Sequence, residues 1–426
     1  MKISNVSTFR AFKSTNYTLY FIGRSVSQFG TWMQRTAVVW IVYTATHSAF
    51  MLGLTVFAEQ FPSFLFSAFG GVAADRYDKY KIVNITQITS LIQACLLAVL
   101  VMTNHYAIWQ ILVLSVILGV INAYDVPARQ SMINEVVVDR ADLPSALSLS
   151  AAMASVARLL GPAVSGIILE KSGAGICFLL NAASFGAVML SIAFMKKPKT
   201  IHHKPKKHVL KELAEGFIYL KQEASIGLVI VMLSLIGLLV LPYDTLVPVF
   251  AKIVFKGNAT TFGYITSFIG VGAVAGTILL ASLKQSASLR KILLLSTVIL
   301  GTGLICFSYT DNFSLAMPFA VIIGFGAMAQ FTTCNIIVQS EAVPEMRGRA
   351  VSIILTAIFG MVPLGSLIVG AVSQRIGAQT TLLCQGIIAI VIAAIFFNIL
   401  KKKNTPGKNI NEELLEEAEE IFLKEA

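Results

Sequence analysis

The sequence predicts an all-α membrane protein with twelve transmembrane helices in two parallel halves of six helices each. Two observations on composition support this: 56% of the 426 residues are hydrophobic, and only 13% are charged. The third observation is that apolar stretches near or above roughly 18 residues, enough to cross a bilayer, recur along the chain. Together they exclude an ordinary soluble protein.

The apolar stretches form two groups of six. In the first half they cover residues 17–44, 49–74, 82–103, 107–127, 145–169 and 174–195. In the second half they cover residues 226–250, 261–283, 292–309, 313–338, 351–372 and 381–400. The first stretch carries Arg24 and Arg35 and has no cleavage-site pattern, so it is not a signal peptide.

The two halves also repeat each other in sequence, at an offset of about 204 residues. The matched positions are Gly53 with Gly263, Glu135 with Glu341, Gly166 with Gly370, Glu170 with Gln374, Lys171 with Arg375, and Gly173 with Gly377. Parallel repeats of this kind place a substrate site between the halves, near the middle of the membrane.

These patterns predict four regions. They are a first half over residues 1–195, a cytoplasmic linker over 196–223, a second half over 224–403 and a cytoplasmic tail helix over 404–426. In the linker, Leu210, Leu213, Phe217 and Leu220 recur at helical spacing, which predicts a short amphipathic helix on the inner surface. In the tail, Asn411 is a suitable cap for a soluble helix.

The net charge of +11 first suggests a nucleic-acid partner, but its distribution argues against one. Most Lys and Arg residues lie at the amino terminus, in the loops on one side, in the linker and in the tail. Those on the other side are Lys171, Lys252, Lys256 and Arg375. This asymmetry follows the positive-inside rule and predicts that both termini are cytoplasmic.

The loop between the second and third stretches, residues 70–81, concentrates charge between two apolar segments. Gly70 and Gly71 at its start favour close approach of helix backbones. The pattern of Gly71, Asp75, Arg76, Lys79 and Lys81 resembles the signature loop of the major facilitator superfamily of transporters, with Asp78 where that family usually has glycine. The resemblance implies the major facilitator fold and a cytoplasmic gate formed by these residues.

A second motif lies in the fifth stretch, where Gly161, Pro162 and Gly166 resemble the helix-packing motif of drug–proton antiporters. Ala157 and Ser165 replace two of its usual glycines. Residues 20–46, 125–166 and 343–352 are similar to the enterobactin-exporter-like branch, which includes siderophore exporters and macrolide or multidrug efflux proteins. Membership would imply a secondary exporter of the bacterial inner membrane that works by alternating access and proton antiport. A multidrug efflux pump, an importer and a non-transporting receptor are the alternatives.

Acidic residues inside the apolar stretches are candidates for proton coupling, because a charge in the membrane is costly. They are Glu59, Asp125 and Asp244. Each has a structural alternative: an Arg neighbour for Glu59, a clamp with Arg129 for Asp125, and a polar position near the outer interface for Asp244. Pro242 and Pro248 around Asp244 predict a broken helix.

Three buried bases, Arg24, Arg35 and Arg158, are candidates for the substrate cavity. Arg24 and Arg35 are eleven residues apart, about three helical turns, so they share a face. A positive cavity favours cargo with carboxylate or catecholate oxygens, which Arg binds bidentately. An Arg paired with Glu59 would remove much of this preference, and lipophilic drugs are then the alternative cargo.

The sequence contains no nucleophile elbow, phosphate-binding loop or zinc motif. We therefore expect no enzymatic activity, no cofactor and no metal. The expected partners are a small-molecule substrate, protons and the lipid bilayer, without nucleic acid, and the expected state is a monomer.

Overall fold

A computed structural model of the chain describes residues 7–137, 139–196, 223–282, 288–344 and 346–404. Within these ranges the regular structure is helical, with no β-strand. The linker helix predicted around Leu213 and the tail helix predicted from Asn411 lie outside the described residues.

The first half of the chain contains five long helices. They are α1 (Thr15–Thr46), α2 (Ala49–Arg76), α3 (Lys79–Met102), α4 (Ile108–Val136) and α5 (Leu143–Ala193). Short 3-10 turns, Ser7–Lys13 and Arg140–Asp142, precede α1 and α5. Helix α5 is broken at Gly173, which has φ 78° and ψ 169°, so its arms cover residues 143–172 and 174–193.

The described part of the second half contains six long helices. They are α6 (Ala224–Leu239), α7 (Ala259–Ala281), α8 (Leu289–Ser308), α9 (Phe313–Glu341), α10 (Arg347–Ile376) and α11 (Ala378–Asn404). Gly377, between α10 and α11, has φ 85° and ψ 158°. This is nearly the conformation of Gly173, the residue with which the sequence repeat pairs it, and a positive φ of this kind favours glycine.

In the described ranges, ten helical segments are long and apolar enough to cross a membrane. One of them, residues 140–193, has 54 residues. At 1.5 Å per residue it is about 80 Å long, more than twice a hydrocarbon core of about 30 Å, so the break at Gly173 is required. Helix α1, in which Arg24, Gln34 and Arg35 interrupt the apolar run, is not one of the ten. The chain is thus an all-helical integral membrane protein.

Helix bounds differ from the sequence prediction around the turn between α2 and α3 and at the end of α4. The predicted loop between the second and third stretches shrinks to Tyr77 and Asp78, because α2 continues to Arg76 and α3 begins at Lys79. Helix α4 continues beyond the predicted end at Pro127 as far as Val136. Pro127 therefore lies inside the helix rather than at its end.

A buried network of amide side chains joins three helices of the first half. Gln34 of α1 donates to Gln93 of α3 (3.0 Å), and Asn181 of α5 donates to Gln34 (2.8 Å). Gln93 also donates to the carbonyl of Leu114 in α4 (3.1 Å). These bonds satisfy amides that would be costly in hydrocarbon without a partner.

The two halves contact each other mainly through α2 with α10 and α5 with α7. A Cβ built on Gly263 of α7 would lie 3.1 Å from the Cα of Gly166 in α5, and one built on Gly370 of α10 would lie 3.2 Å from the Cα of Gly53 in α2. The residues that the sequence repeat matches thus occupy matched places in both interfaces. In membranes, glycines at such crossings let backbones approach closely.

The contacts between the halves mark one end of the molecule. We call the end with Asp75 the loop end, and the opposite end, with His47 and Lys256, the distal end. A hydrophobic cluster toward the distal end includes Val39, Tyr43 and Leu52 of the first half, which pack with core residues of the second half. Trp40 stacks on Phe262 of α7, with ring centroids 6.0 Å apart.

Candidate functional site

A small cavity of about 50 Å³ lies between the two halves, on the distal side of the middle. Its first-half residues come from α1 and α2, and its second-half residues come from the segment after α6 and from α7 and α10. The lining consists of Trp32, Arg35, Thr36, Val39, Val56, Gln60, Leu241, Pro242, Asp244, Thr245, Phe262, Thr266, Val362 and Ser366. It is an apolar space with one base, one acid and several hydroxyl groups.

Arg35 and Asp244 face each other across this cavity. Arg35 Nη2 lies 4.0 Å from Asp244 Oδ2, and the two side chains are 32% and 49% exposed. The guanidinium of Arg35 also lies over the Trp32 ring, 5.7 Å from its centroid, which is a cation–π contact. Among the described residues, this is the ion pair that joins α1 of the first half to the second half.

Arg158 of α5 lies beside the same pair and interacts electrostatically with both Arg35 and Asp244. Its Nη1 lies 3.9 Å from the sulfur of Met328 in α9. The group of Arg35, Arg158 and Asp244 therefore carries two positive charges and one negative charge. Two of the three bases predicted to line the cavity are brought together here.

Asp244 lies in an irregular segment that follows the end of α6. A 3-10 turn (Leu241–Leu246), three α-helical residues (Val247–Val249) and a π turn (Phe250–Val254) follow α6. Buried Gln385 of α11 donates to the carbonyls of Leu239 and Val240, both at 3.2 Å, and so satisfies groups that the break exposes. Irregular turns of this kind often occur at functional sites.

Arg24 lies elsewhere. It is half-buried on α1, near Tyr20, and interacts electrostatically with Arg129 of α4 toward the loop end. The shared helix face of Arg24 and Arg35 does not bring them together, because eleven residues span about 16 Å along a helix. The expectation that Arg24 joins the other two bases is therefore not met.

Asp125 is the most buried of the three acidic candidates. Its side chain is 1% exposed and forms an ion pair with Arg129, one turn further along α4. It also accepts hydrogen bonds from Thr86 (2.7 Å) and Gln87 (3.0 Å) of α3. This is the arrangement of a structural clamp between α3 and α4, the alternative that the spacing of Asp125 and Arg129 indicated.

Glu59 is half-buried in α2, three residues before Pro62. Its backbone carbonyl lies against Gly119 of α4, where a Cβ would collide with it. Within the described part of the chain, its carboxylate makes no ion pair with the Arg neighbour that the sequence left open. Among the described residues, Glu59 therefore differs from Asp125 in having no ion-pair partner.

The two halves have ion pairs at corresponding places of the loop end. Lys79 at the start of α3 binds Glu135 at the end of α4, and Arg290 at the start of α8 binds Glu341 at the end of α9 (3.0 Å). Glu135 and Glu341 are residues that the sequence repeat pairs. The remaining charged gate candidates, Asp75, Arg76 and Lys81, are exposed.

Asp78, which replaces the usual glycine of the loop, caps α3 by accepting a hydrogen bond from the backbone of Tyr80 (2.8 Å). The two glycines before it behave differently. Gly70 packs against the carbonyl of Ala123 in α4, as expected, but a Cβ at Gly71 would meet open space. Gly71 is thus not a packing position in this conformation.

The helix-packing motif of α5 lies at the interface with the cavity wall and α7. A Cβ at Gly161 would lie 2.9 Å from the Cβ of Trp32, so Gly161 leaves room for a residue that lines the cavity. The carbonyl of Pro162 and the Cα of Gly166 both face Gly263 of α7. The motif therefore lets the two halves approach closely.

Sequence reasoning missed several residues of the site. The sequence analysis does not include Trp32, Gln60 or Gln385 among the candidates, because none of the three carries a charge into the membrane. A signal was present for the two glutamines, since an amide within an apolar stretch needs a partner or a cavity. Trp32 has no such signal, because aromatic residues are common throughout these helices.

Residues 6–420 match the family model described as transmembrane secretion effector. Among curated proteins, the chain is 27% identical to the staphyloferrin A transporter of Staphylococcus aureus, over 90% of this chain and 96% of the relative. It is 22% identical to the multidrug efflux pump Tap of Mycolicibacterium fortuitum, over 87% and 93%. It is 20% identical to macrolide efflux protein A of Streptococcus pyogenes, over 89% and 94%.

Solved structures share the fold. The nucleoside transporter NupG aligns with a TM-score of 0.70 and 14% identity, over 91% of this chain and 99% of that chain. A bacterial homologue of the human lysosomal transporter Spinster, in an inward-facing and unoccupied conformation, aligns with a TM-score of 0.70 and 14% identity, over 90% and 96%. At this identity the likeness concerns the fold alone.

Proposed function

This chain belongs to the transmembrane secretion effector family of the major facilitator superfamily, and we propose that it exports an anionic small molecule across the bacterial inner membrane by alternating access. The observation that carries the cargo class is the excess of positive charge at the cavity. Arg35 and Arg158 lie there with one carboxylate, Asp244. A cargo carboxylate or catecholate would balance the charge and bind Arg bidentately.

The proposed architecture has twelve crossings. Helix α1 is long enough to cross the bilayer, and the break at Gly173 divides α5 into two spans. Counting these with the remaining segments gives six crossings in each half, over residues 1–195 and 224–403, joined by a linker over 196–223. The matched glycine contacts of α2 with α10 and α5 with α7 support two repeated halves.

We place the loop end and both termini in the cytoplasm. Arg76, Lys79 and Lys81 lie at the loop end, which is the basic side by the positive-inside rule. With this orientation, the contacts between the halves close the cavity toward the outside. The cavity would then be loaded from the cytoplasm, as an exporter requires.

The likeness to the staphyloferrin A transporter supports a siderophore or related anionic metabolite as the cargo. For coupling we propose proton antiport, with Glu59 as the carboxylate that takes up and releases the proton. Glu59 is half-buried and unpaired within the described residues, whereas Asp125 is bound in a clamp. A carboxylate without a fixed partner can change its protonation state at a smaller structural cost than one in a buried ion pair.

The test is transport in proteoliposomes that contain the purified chain. A citrate-based siderophore loaded on the cytoplasmic side should cross faster when an inward proton gradient is imposed. The outcome that contradicts the proposal is siderophore flux equal to that of empty liposomes, under a gradient that drives a known antiporter prepared in parallel.

A second candidate function is efflux of lipophilic drugs. Phe57 and Phe61 stack in α2 with ring centroids 4.6 Å apart, and Phe64 continues the row against Gly360 of α10. An aromatic row between the halves suits a neutral or cationic aromatic drug. Efflux of ethidium or a macrolide in the same liposomes, without siderophore flux, would favour this function.

A further inference from the structure

The structure points to a role for Asp244 that deepens the proposed function and rests on it. We propose that Asp244 occupies, in the empty carrier, the position on Arg35 that a cargo carboxylate takes, and that this exchange frees the distal end to open. The cross-half ion pair of Arg35 and Asp244 would then make opening depend on cargo.

The first step concerns where the ion pair lies. Arg35 belongs to α1, and Asp244 belongs to the turn after α6, so the contact crosses from one half to the other. It lies in the part of the molecule where Trp40 stacks on Phe262 and the halves are closed. Opening the distal end separates these elements and must therefore break the pair.

The second step concerns its strength. The separation of 4.0 Å is longer than the 2.7–2.9 Å of a good charge-assisted hydrogen bond. Both side chains are partly exposed, so water screens the attraction. A free carboxylate that binds Arg35 bidentately would make shorter bonds, and Asp244 is therefore replaceable.

The third step concerns what else a cargo would find there. Arg158 adds a second positive charge next to the pair, and its described hydrogen bond is a long one to Met328. Hydroxyl groups of Thr36, Thr266 and Ser366 line the same cavity. A molecule with two or more carboxylates could bind both bases at once, which selects polycarboxylates over single carboxylates.

The consequence is a carrier that stays closed when it is empty. Without cargo, the cross-half ion pair stabilises the distal contacts. With cargo, both bases of the first half bind the cargo, and the second half loses its ion pair with α1. Loading at the loop end thereby favours opening at the distal end.

The experiment measures distal opening directly. Spin labels are placed at His105 and Tyr309, exposed residues of the distal loops in opposite halves, in a variant without the native cysteines. Distances are read by double electron–electron resonance in nanodiscs, with and without citrate as the polycarboxylate probe. Asp311→Asn is the matched control, because Asp311 is a distal acid whose described bond, to Gln379 (3.0 Å), stays within the second half.

We expect Asp244→Asn to raise the long-distance population about two- to fivefold without citrate, the effect of losing a partly exposed ion pair. Citrate should raise this population in the wild type and add little in Asp244→Asn. Asp311→Asn should match the wild type. The double variant Arg35→Asp with Asp244→Arg should restore the closed distribution if the contact is electrostatic.

Three results separate the possible failures. Closed distances in Asp244→Asn, or a citrate effect of equal size in that variant and the wild type, would overturn the exchange. If citrate has no effect on the wild type but Asp244→Asn still opens, the role of the ion pair in closure is supported. The claim that the cargo is a polycarboxylate is then rejected. If siderophore flux is observed but Asp244→Asn keeps the closed distances of the wild type, the proposed cargo stands and the role of the ion pair is rejected.

Discussion

Glu170 of α5 accepts a hydrogen bond from the backbone nitrogen of Ala259, at the start of α7, over 3.2 Å. The bond crosses between the halves at the distal end. Its counterpart in the sequence repeat is Gln374 of α10, which accepts from the hydroxyl of Ser48 at the start of α2 (2.9 Å). At each distal crossing, a side chain thus accepts a hydrogen bond at the amino end of a helix of the other half. The acceptor is the charged Glu170 at α7 and the neutral Gln374 at α2.

This pairing predicts that Glu170→Ala opens the distal end more than Glu170→Gln. A carboxylate at a helix amino end is worth about 0.5–1 kcal/mol, and a glutamine retains the acceptor oxygen, as Gln374 already demonstrates. Spin-label distances across the distal end measure the effect, with the exposed neighbour Lys171→Ala as the control. Equal behaviour of the two Glu170 variants would show that the bond does not hold the crossing.

Glu59→Gln should abolish export driven by a proton gradient and still bind cargo, because the amide resembles the protonated acid. Gradient-driven flux and cargo binding, measured on the same preparation, separate the two properties. Undiminished pH-driven export in this variant would remove Glu59 from the mechanism and leave Asp244 as the next residue to test.

Asp75→Asn should leave the protein folded and inserted but slow its transport. Asp75 is exposed at the loop end in this conformation, so the loss should appear in the state in which the loop end closes. The measurement is initial export rate at equal amounts of inserted protein. Full activity would mean that the loop serves insertion topology alone.

Arg158→Ala should reduce export of an anionic cargo far more than export of a neutral one. Loss of one charge-assisted contact costs about 1.5–3 kcal/mol, or more than tenfold in cargo affinity. The ratio of the two export rates is the readout, and Arg375→Ala at the distal surface is the control. A proportional decrease for both cargoes would indicate a packing role for Arg158.

Asp125→Asn should destabilise the fold by about 3–5 kcal/mol, because it leaves Arg129 buried without its partner. The matched control is Asp142→Asn, which removes an ion pair with Arg10, a residue 46% exposed; that pair is worth about 0–1 kcal/mol. Thermal unfolding in detergent compares the two variants. Similar small shifts in both would argue against a structural clamp at Asp125.

The sequence predicts much of the architecture because membrane helices and repeats are local or periodic signals. The pairing of Gly173 with Gly377 anticipates a shared backbone conformation, and the pairing of Glu135 with Glu341 anticipates matched acids at the loop end. Pro242 indicates the break after α6. These features depend on single residues whose chemistry limits the backbone.

The arrangement of the site is harder to predict from the sequence than the helices are. Arg35 and Asp244 are distant in the chain, and their contact depends on how two halves pack and on how Gln385 holds the broken segment. Helical spacing indicates which face of α1 carries Arg24 and Arg35, but it does not bring residues three turns apart to the same depth in the membrane. The prediction that groups Arg24 with Arg35 uses the face alone. Glu59 has no Arg partner in the described structure, and its position on α2 alone did not decide this.

The buried amides of Gln34, Gln93 and Asn181 have a mechanical consequence. Sliding α1 along α3 or α5 by even one residue would leave hydrogen-bonding groups without partners in hydrocarbon, at a cost far above thermal energy. We therefore expect α1, α3 and α5 to move together as one rigid body. A reorientation that starts at Arg35 on α1 should then move α3 and α5 with it, as far as the opposite face of the membrane.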